Sequence, residues 1–222
     1  MDKVRVGVVH TFLYSVEDIK AQFRAQLPEV EMINIIDDSL LEEALEHSAI
    51  TPDIVNRMCE YYRNLEDLGC VCALNQCSSV GEASDVAAQM VHYPIFKIDR
   101  PMAREAAKKG ERIAVIATAC STVEPSSRLV EHEAAAMGKK VKVDRCFVEG
   151  AYDCLLKTGD KARHNEMVVA KVEEAAKTHD VIVLAQGSMY HLMPLLKHID
   201  VPVLTSLETG VAQIREYLDT AM

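Results

Sequence analysis

The chain has 222 residues, 24 Lys+Arg against 34 Asp+Glu, and a formal net charge of −10. That length allows one large or two small domains with real cores, and the negative balance, without a compensating basic stripe, excludes phosphate backbones and anionic membranes as natural partners. The N-terminus MDKVRVGVVHTF has no signal-length apolar run and no stretch reaches the length of a membrane span, so a cytoplasmic protein is expected.

Short β-branched runs alternate with helix-periodic segments from end to end: VRVGVVH (4–10), EMINIID (31–37), CVCALNQ (70–76), PIFKID (94–99), RIAVIAT (112–118), VKVDRCFV (141–148), VIVLAQ (181–186) and VPVLTS (201–206). These predict eight strands. Near-continuous apolar runs such as IAVIAT suit strands covered on both faces, which makes the class α/β with mainly parallel sheets. Helix starts are expected at Ser15, at Thr51-Pro52-Asp53, at Ser78-Ser79 and at Asp160.

Two stretches about 110 residues apart follow one plan, strand–helix–strand–helix. They align with Leu74 on Leu184, Gln76 on Gln186, Cys77 on Gly187, Ser78 on Ser188 and Pro94 on Pro202; VRVGVVHT likewise matches RIAVIATA. The expectation is two similar half-molecules, residues 1–98 plus 207–222 and residues 99–206, facing each other across a pseudo-twofold cleft.

Ligands of open parallel sheets bind beyond the carboxyl ends of the strands. The residues just past the runs are rich in small hydroxyls: His10-Thr11, Cys77-Ser78-Ser79, Thr118-Ala119-Cys120-Ser121-Thr122 and Gln186-Gly187-Ser188. Hydroxyls and free N–H groups at helix starts cradle carboxylates, so a small acid is the expected substrate; the competing reading is that any one of these residues only caps a helix. Arg100 and Arg104 are the cations that can be placed near these loops.

Seven cysteines without CxxC spacing fit neither a disulfide framework nor a zinc ribbon. Scattered histidines offer no HExxH, and the absence of GxGxxG or a P-loop leaves no nucleotide or metal cofactor expected. Cys77, at a strand-to-helix junction, is expected to have a lowered pKa and to be the thiol most sensitive to alkylation, whereas Cys70 and Cys72 read as packing residues inside a strand. Cys120 lies in the second hydroxyl-rich stretch.

Through LNQCSSVGEA, the run YPIFKIDRPMAREAAKKGERIAVIATACSTVEPSS, and VIVLAQGSM, the chain resembles the aspartate/glutamate/hydantoin racemase superfamily over nearly its whole length. The resemblance implies cofactor-independent inversion next to a carboxylate of a small amino or dicarboxylic acid. Two thiols on opposite faces of the substrate perform it in that family, each matched to its proton transfer. It implies Cys77 as the first thiol, Ser78, Ser79, Thr118, Ser121 and Thr122 as carboxylate binders, His10 and Thr11 at the mouth, and a homodimer, to which the exposed-looking pair Tyr61-Tyr62 also points.

The second thiol is missing: LGCAGM or LGCTH in relatives is Leu184-Ala185-Gln186-Gly187-Ser188-Met189 here, placing the vacancy on Gln186 or Gly187. Three functions follow: an isomerase in which Cys77 works with Cys120, His10, His191 or water; a single-thiol decarboxylase; or a non-catalytic carboxylate-binding protein.

Overall fold

The computed structural model describes residues 3–221. It divides into two compact units, Met1–Asp99 with Leu207–Met222 and Arg100–Ser206.

The first unit is a four-stranded, wholly parallel sheet in the order β2-β1-β3-β4, built from Arg5–His10 (β1), Glu31–Ile36 (β2), Cys70–Asn75 (β3) and Ile95–Lys97 (β4). The buried run Val6, Val8, Val9 in β1 and Cys72, Ala73, Leu74 in β3 puts apolar side chains on both faces, as strands between two helix layers require. Helices α2 (Ser39–His47), α3 (Pro52–Asp67) and α4 (Gly81–Ala87) enclose one core with Leu40, Ile54, Met58, Tyr62 and Leu65. Helix α1 (Val16–Gln26) packs against a helix from the end of the chain, Leu207–Ala221, which belongs to this unit. That last helix needs Gly210, where an added Cβ would lie 2.5 Å from the Ile98 carbonyl oxygen.

The second unit repeats the design. Its sheet, in the order β6-β5-β7-β8 and again wholly parallel, comprises Arg112–Ala117 (β5), Lys142–Phe147 (β6), Val181–Leu184 (β7) and Val203–Leu204 (β8). Helices α5 (Arg100–Lys109) and α6 (Cys120–Ala136) cover one face, while α7 (Ala151–Leu156), α8 (Lys161–Ala176) and a 3-10 segment over Gly187–Leu196 cover the other. With these helices numbered, the chain-terminal helix is α9.

Two of the expected helix starts cap as predicted from their side chains: Thr51 Oγ1 accepts from Ile54 N–H at 3.2 Å with Pro52 at the first position, and Asp160 Oδ1 accepts from Arg163 N–H at 2.9 Å. Each such cap stabilises by about 1 kcal/mol. The other two differ. Ser15 ends a 3-10 turn and its hydroxyl donates back to Phe12 O at 3.1 Å, and Ser78-Ser79 lie inside a 3-10 turn, Ser78–Val80, that precedes α4. Of the pair expected to be exposed, Tyr62 is fully buried and Tyr61 is half-buried with its hydroxyl donating to Asp37 at 2.7 Å.

The strand pairings also correct the repeat alignment by one residue. Leu74 pairs with Val8 in the first sheet, and its counterpart beside Val115 in the second is Val183. Further along, Gln76 N–H donates to Val9 O at 3.1 Å and Ala185 N–H donates to Ile116 O at 2.9 Å. Cys77 therefore corresponds to Gln186, each in an extended conformation immediately before a 3-10 segment. The alignment that put Cys77 on Gly187 matched two Gln residues by identity; backbone pairing places Gln76 on Ala185. Pro94 and Pro202 do correspond, since their carbonyls accept from Ala73 and Ile182 N–H in equivalent positions.

Candidate active site

In each sheet the chain reverses its winding between the two central strands, the place where ligands of open parallel sheets bind, at the loops beyond the carboxyl ends. In the first unit these loops carry His10-Thr11 after β1 and Gln76 to Ser79 after β3.

Cys77 is held by its own backbone. The buried Asn75 side chain donates through Nδ2 to Cys77 O at 2.9 Å and accepts from Cys77 N–H at 3.4 Å, while Gln76 Oε1 accepts from Thr11 N–H at 3.3 Å. The residue is half-buried, and burial pushes its thiol above the ordinary value; the Thr11 hydroxyl, the N–H and hydroxyl of Ser79, and the Val80 N–H pull the other way by favouring the thiolate. The lowered pKa expected from the helix-start position is thus overturned: a three-residue turn supplies N–H donors, but not enough to offset desolvation. Thr11 is fully buried, and its hydroxyl has no partner of regular hydrogen-bond geometry.

His10 is fully buried; its Nε2 meets Asn34 Oδ1 at 2.8 Å, which requires the proton on Nε2, and Nδ1 has no partner. Burial holds the imidazole below its ordinary pKa, with the Asn34 bond opposing and the Lys20 charge reinforcing, which favours the neutral ring. The Ser78 hydroxyl donates to buried Asp99, whose carboxyl is pushed up by burial against the opposing effect of that bond. The donor of Ser78 is consequently spent inside the unit. Asp99 and Asn75 escaped the sequence reading, although Asp99 closes the PIFKID run and the strand-end rule that selected the other loops also points to it.

The equivalent place in the second unit is built differently. Gln186 Oε1 accepts from Thr118 N–H at 2.5 Å, Thr118 Oγ1 at 3.0 Å and Ala119 N–H at 3.3 Å. Three donors on one oxygen fix which end of the amide is the acceptor. Thr118 and Thr122 are buried, Ser121, Gly187 and Ser188 are partly buried, and Ala119 is the extended residue before α6. Cys120 is exposed and is the first residue of α6 rather than part of the loop. His191 is exposed and tied through Nε2 to Asn165 Oδ1 at 3.0 Å. Arg100 and Arg104 direct Nε to the buried Glu133 carboxylate at 2.8 and 2.9 Å, which pulls the carboxyl down against the desolvation that would raise it.

Among the remaining thiols, Cys70 and Cys72 are buried and pushed up to about 11 and about 12, and Cys59 is buried in α3. Cys146 and Cys154 are half-buried. Among the described residues no three His, Cys, Asp or Glu side chains gather as a metal-binding group, and no helix is long and apolar enough to cross a membrane.

A family model described as Asp/Glu/Hydantoin racemase matches residues 11–214. Similar solved structures include the glutamate racemase isoform RacE1 from Bacillus anthracis, at 19% identity and TM-score 0.71, covering 98% of this chain and 82% of that one. Allantoin racemase from Klebsiella pneumoniae is similar at 16% identity and TM-score 0.69, with 99% and 89% covered. Aspartate racemase from Picrophilus torridus is similar at 15% identity and TM-score 0.68, with 96% and 94% covered. At these identities the likeness establishes the fold, and no curated protein matches the chain in sequence.

Proposed function

Because the chain belongs to the Asp/Glu/Hydantoin racemase family, we propose that it is a cofactor-independent racemase in which Cys77 exchanges the proton on the carbon next to the carboxylate of a small amino or dicarboxylic acid. The observation that carries this reading is the set of donors around one sulfur: the Thr11 hydroxyl, both donors of Ser79 and the Val80 N–H all favour thiolate in a buried setting. A raised pKa suits the task. A thiolate that is scarce but strongly basic is matched to a weakly acidic C–H, and the waiting donors stabilise it only while it carries charge.

Neutral donors suited to a carboxylate stand in each unit, Thr11 and Ser79 beside Cys77 in the first and Ser121 and Thr122 in the second, where Gln186 Oε1 already takes the Thr118 and Ala119 donors. An amide is no acid near neutral pH, so Gln186 binds where relatives carry a thiol and inversion uses another proton donor. We propose a homodimer acting in the cytoplasm, in keeping with the net charge of −10.

The test is incorporation of deuterium from heavy water into a panel of amino and dicarboxylic acids, followed by chiral analysis, for wild type and Cys77→Ser. Deuterium at the carbon next to the carboxylate with inversion, lost in Cys77→Ser, supports the proposal. Carbon dioxide release would replace it with decarboxylation, exchange undiminished in Cys77→Ser would remove the thiol from the mechanism, and binding without turnover would leave a carboxylate-binding protein.

A further inference from the structure

On the first unit a crevice of about 340 Å³, none of whose lining residues lies in the Cys77 loops, runs between α1 and the edge strand β2, lined by Lys20, Phe23, Arg24, Leu27, Met32 and Asn34 among others. Its construction follows from two periodicities. Lys20, Phe23 and Arg24 fall on one stripe of α1, Leu27 follows as its C-cap, and Met32 and Asn34 fall on one face of β2. Phe23 and Leu27 are buried and make an apolar floor, continued by Met32.

Polar groups stand over that floor. Lys20 and Arg24, four residues apart on the helix, are like charges that repel unless an anion lies between them. Lys20 has an exposed pair with Glu17 at 2.9 Å, which contributes little, and Arg24 feels the same carboxylate only at longer range, without a hydrogen bond or ion pair of its own among the described residues. Asn34 spends Oδ1 on His10 Nε2 at 2.8 Å, and this turns its Nδ2 hydrogens away from the histidine as uncommitted donors. Two cations and an amide donor beside an apolar floor complement a ligand with an anionic head and a short hydrocarbon tail.

We propose that this crevice binds a small monocarboxylate with an apolar tail, separately from the Cys77 loops. The carboxylate lies between Lys20 and Arg24 within reach of Asn34, and the tail covers Phe23, Leu27 and Met32. Since Asn34 holds the buried His10 ring, whose neighbour in sequence is Thr11, occupancy is sensed at His10. The site does not depend on the proton-transfer reading and is tested without an activity assay.

The experiment titrates hexanoate into the full chain, by calorimetry and by NMR of the His10 ring, with acetate and hexan-1-ol as probes of head and tail alone. Hexanoate is expected to bind about tenfold or more tightly than either, and to shift the His10 resonances. Arg24→Glu, at an exposed position and checked for an unchanged circular dichroism spectrum, is expected to abolish binding, and Asn34→Ala to weaken it. Thr11→Val and Cys77→Ser leave it intact. Absence of hexanoate binding, or equal affinity in Arg24→Glu, overturns the proposal; so does loss of binding in Thr11→Val with retention in Arg24→Glu, which would place hexanoate at the Cys77 loops.

Discussion

Replacing Gln186 with Met keeps the length and most of the volume of the side chain while deleting the oxygen that accepts from Thr118 N–H, Thr118 Oγ1 and Ala119 N–H. Both residues are only 2% exposed, so water does not readily take over the freed donors. A buried N–H left unsatisfied costs about 1–3 kcal/mol, and two of them set a local loss of about 2–6 kcal/mol, with the hydroxyl free to rotate to another acceptor. At about 1.4 kcal/mol per factor of ten, the amide protons of Thr118 and Ala119 should exchange with solvent roughly thirtyfold to ten-thousandfold faster. Amide hydrogen exchange at these two residues is the readout because it is local and does not require the two units to unfold together. Gln186→Glu retains the acceptor and should retain protection. Unchanged exchange in Gln186→Met, or equal loss in Gln186→Glu, would refute the claim that this oxygen organises the loop.

Gln186→Cys puts a thiol at the place Cys77 holds in the other sheet and is expected to raise racemisation, whereas Gly187→Cys, one residue out of register, is not; chiral analysis of product from both variants checks the assignment. Alkylation mapped by mass spectrometry should modify exposed Cys120 first and Cys77 slowly, because Cys77 is half-buried and its thiol is pushed up; Cys77 reacting first would contradict the burial argument. Asp99→Asn should stabilise the protein near neutral pH, since a carboxyl raised in the folded state loses its stabilising contribution as pH rises from the unfolded value of 3.8. Denaturant titrations should show that gain shrinking to nothing in acid. His10 and His164 act with the opposite sign: both are held down by burial, so their contribution is complete above the unfolded value of 6.5 and declines as pH falls below it. His10→Gln should flatten that decline.

Local pattern was enough for the class and the layout. Runs such as RIAVIAT and VIVLAQ have no polar face, and a strand without a polar face needs helices on both sides, which dictates parallel pairing and places ligands at the strand ends. The caps at Thr51 and Asp160 were legible for the same reason, since a cap is a contact between residues three apart. Register was not legible. Matching Gln76 to Gln186 by identity moved the repeat by one residue, because the true correspondence is carried by backbone bonds to Val9 and Ile116, tens of residues away. Nor was the protonation of Cys77: the dipole and donors of a turn can be read from sequence, but the desolvation that outweighs them comes from everything packed around the sulfur. The same holds for Ser78, which a hydroxyl-rich motif offers as a ligand and which the fold instead spends on Asp99. Sequence alone determined which side chains gather at the strand ends, because alternation and chain direction are local properties. Only the tertiary structure decided which of them keep a free donor, because that depends on partners that long-range packing brings into reach.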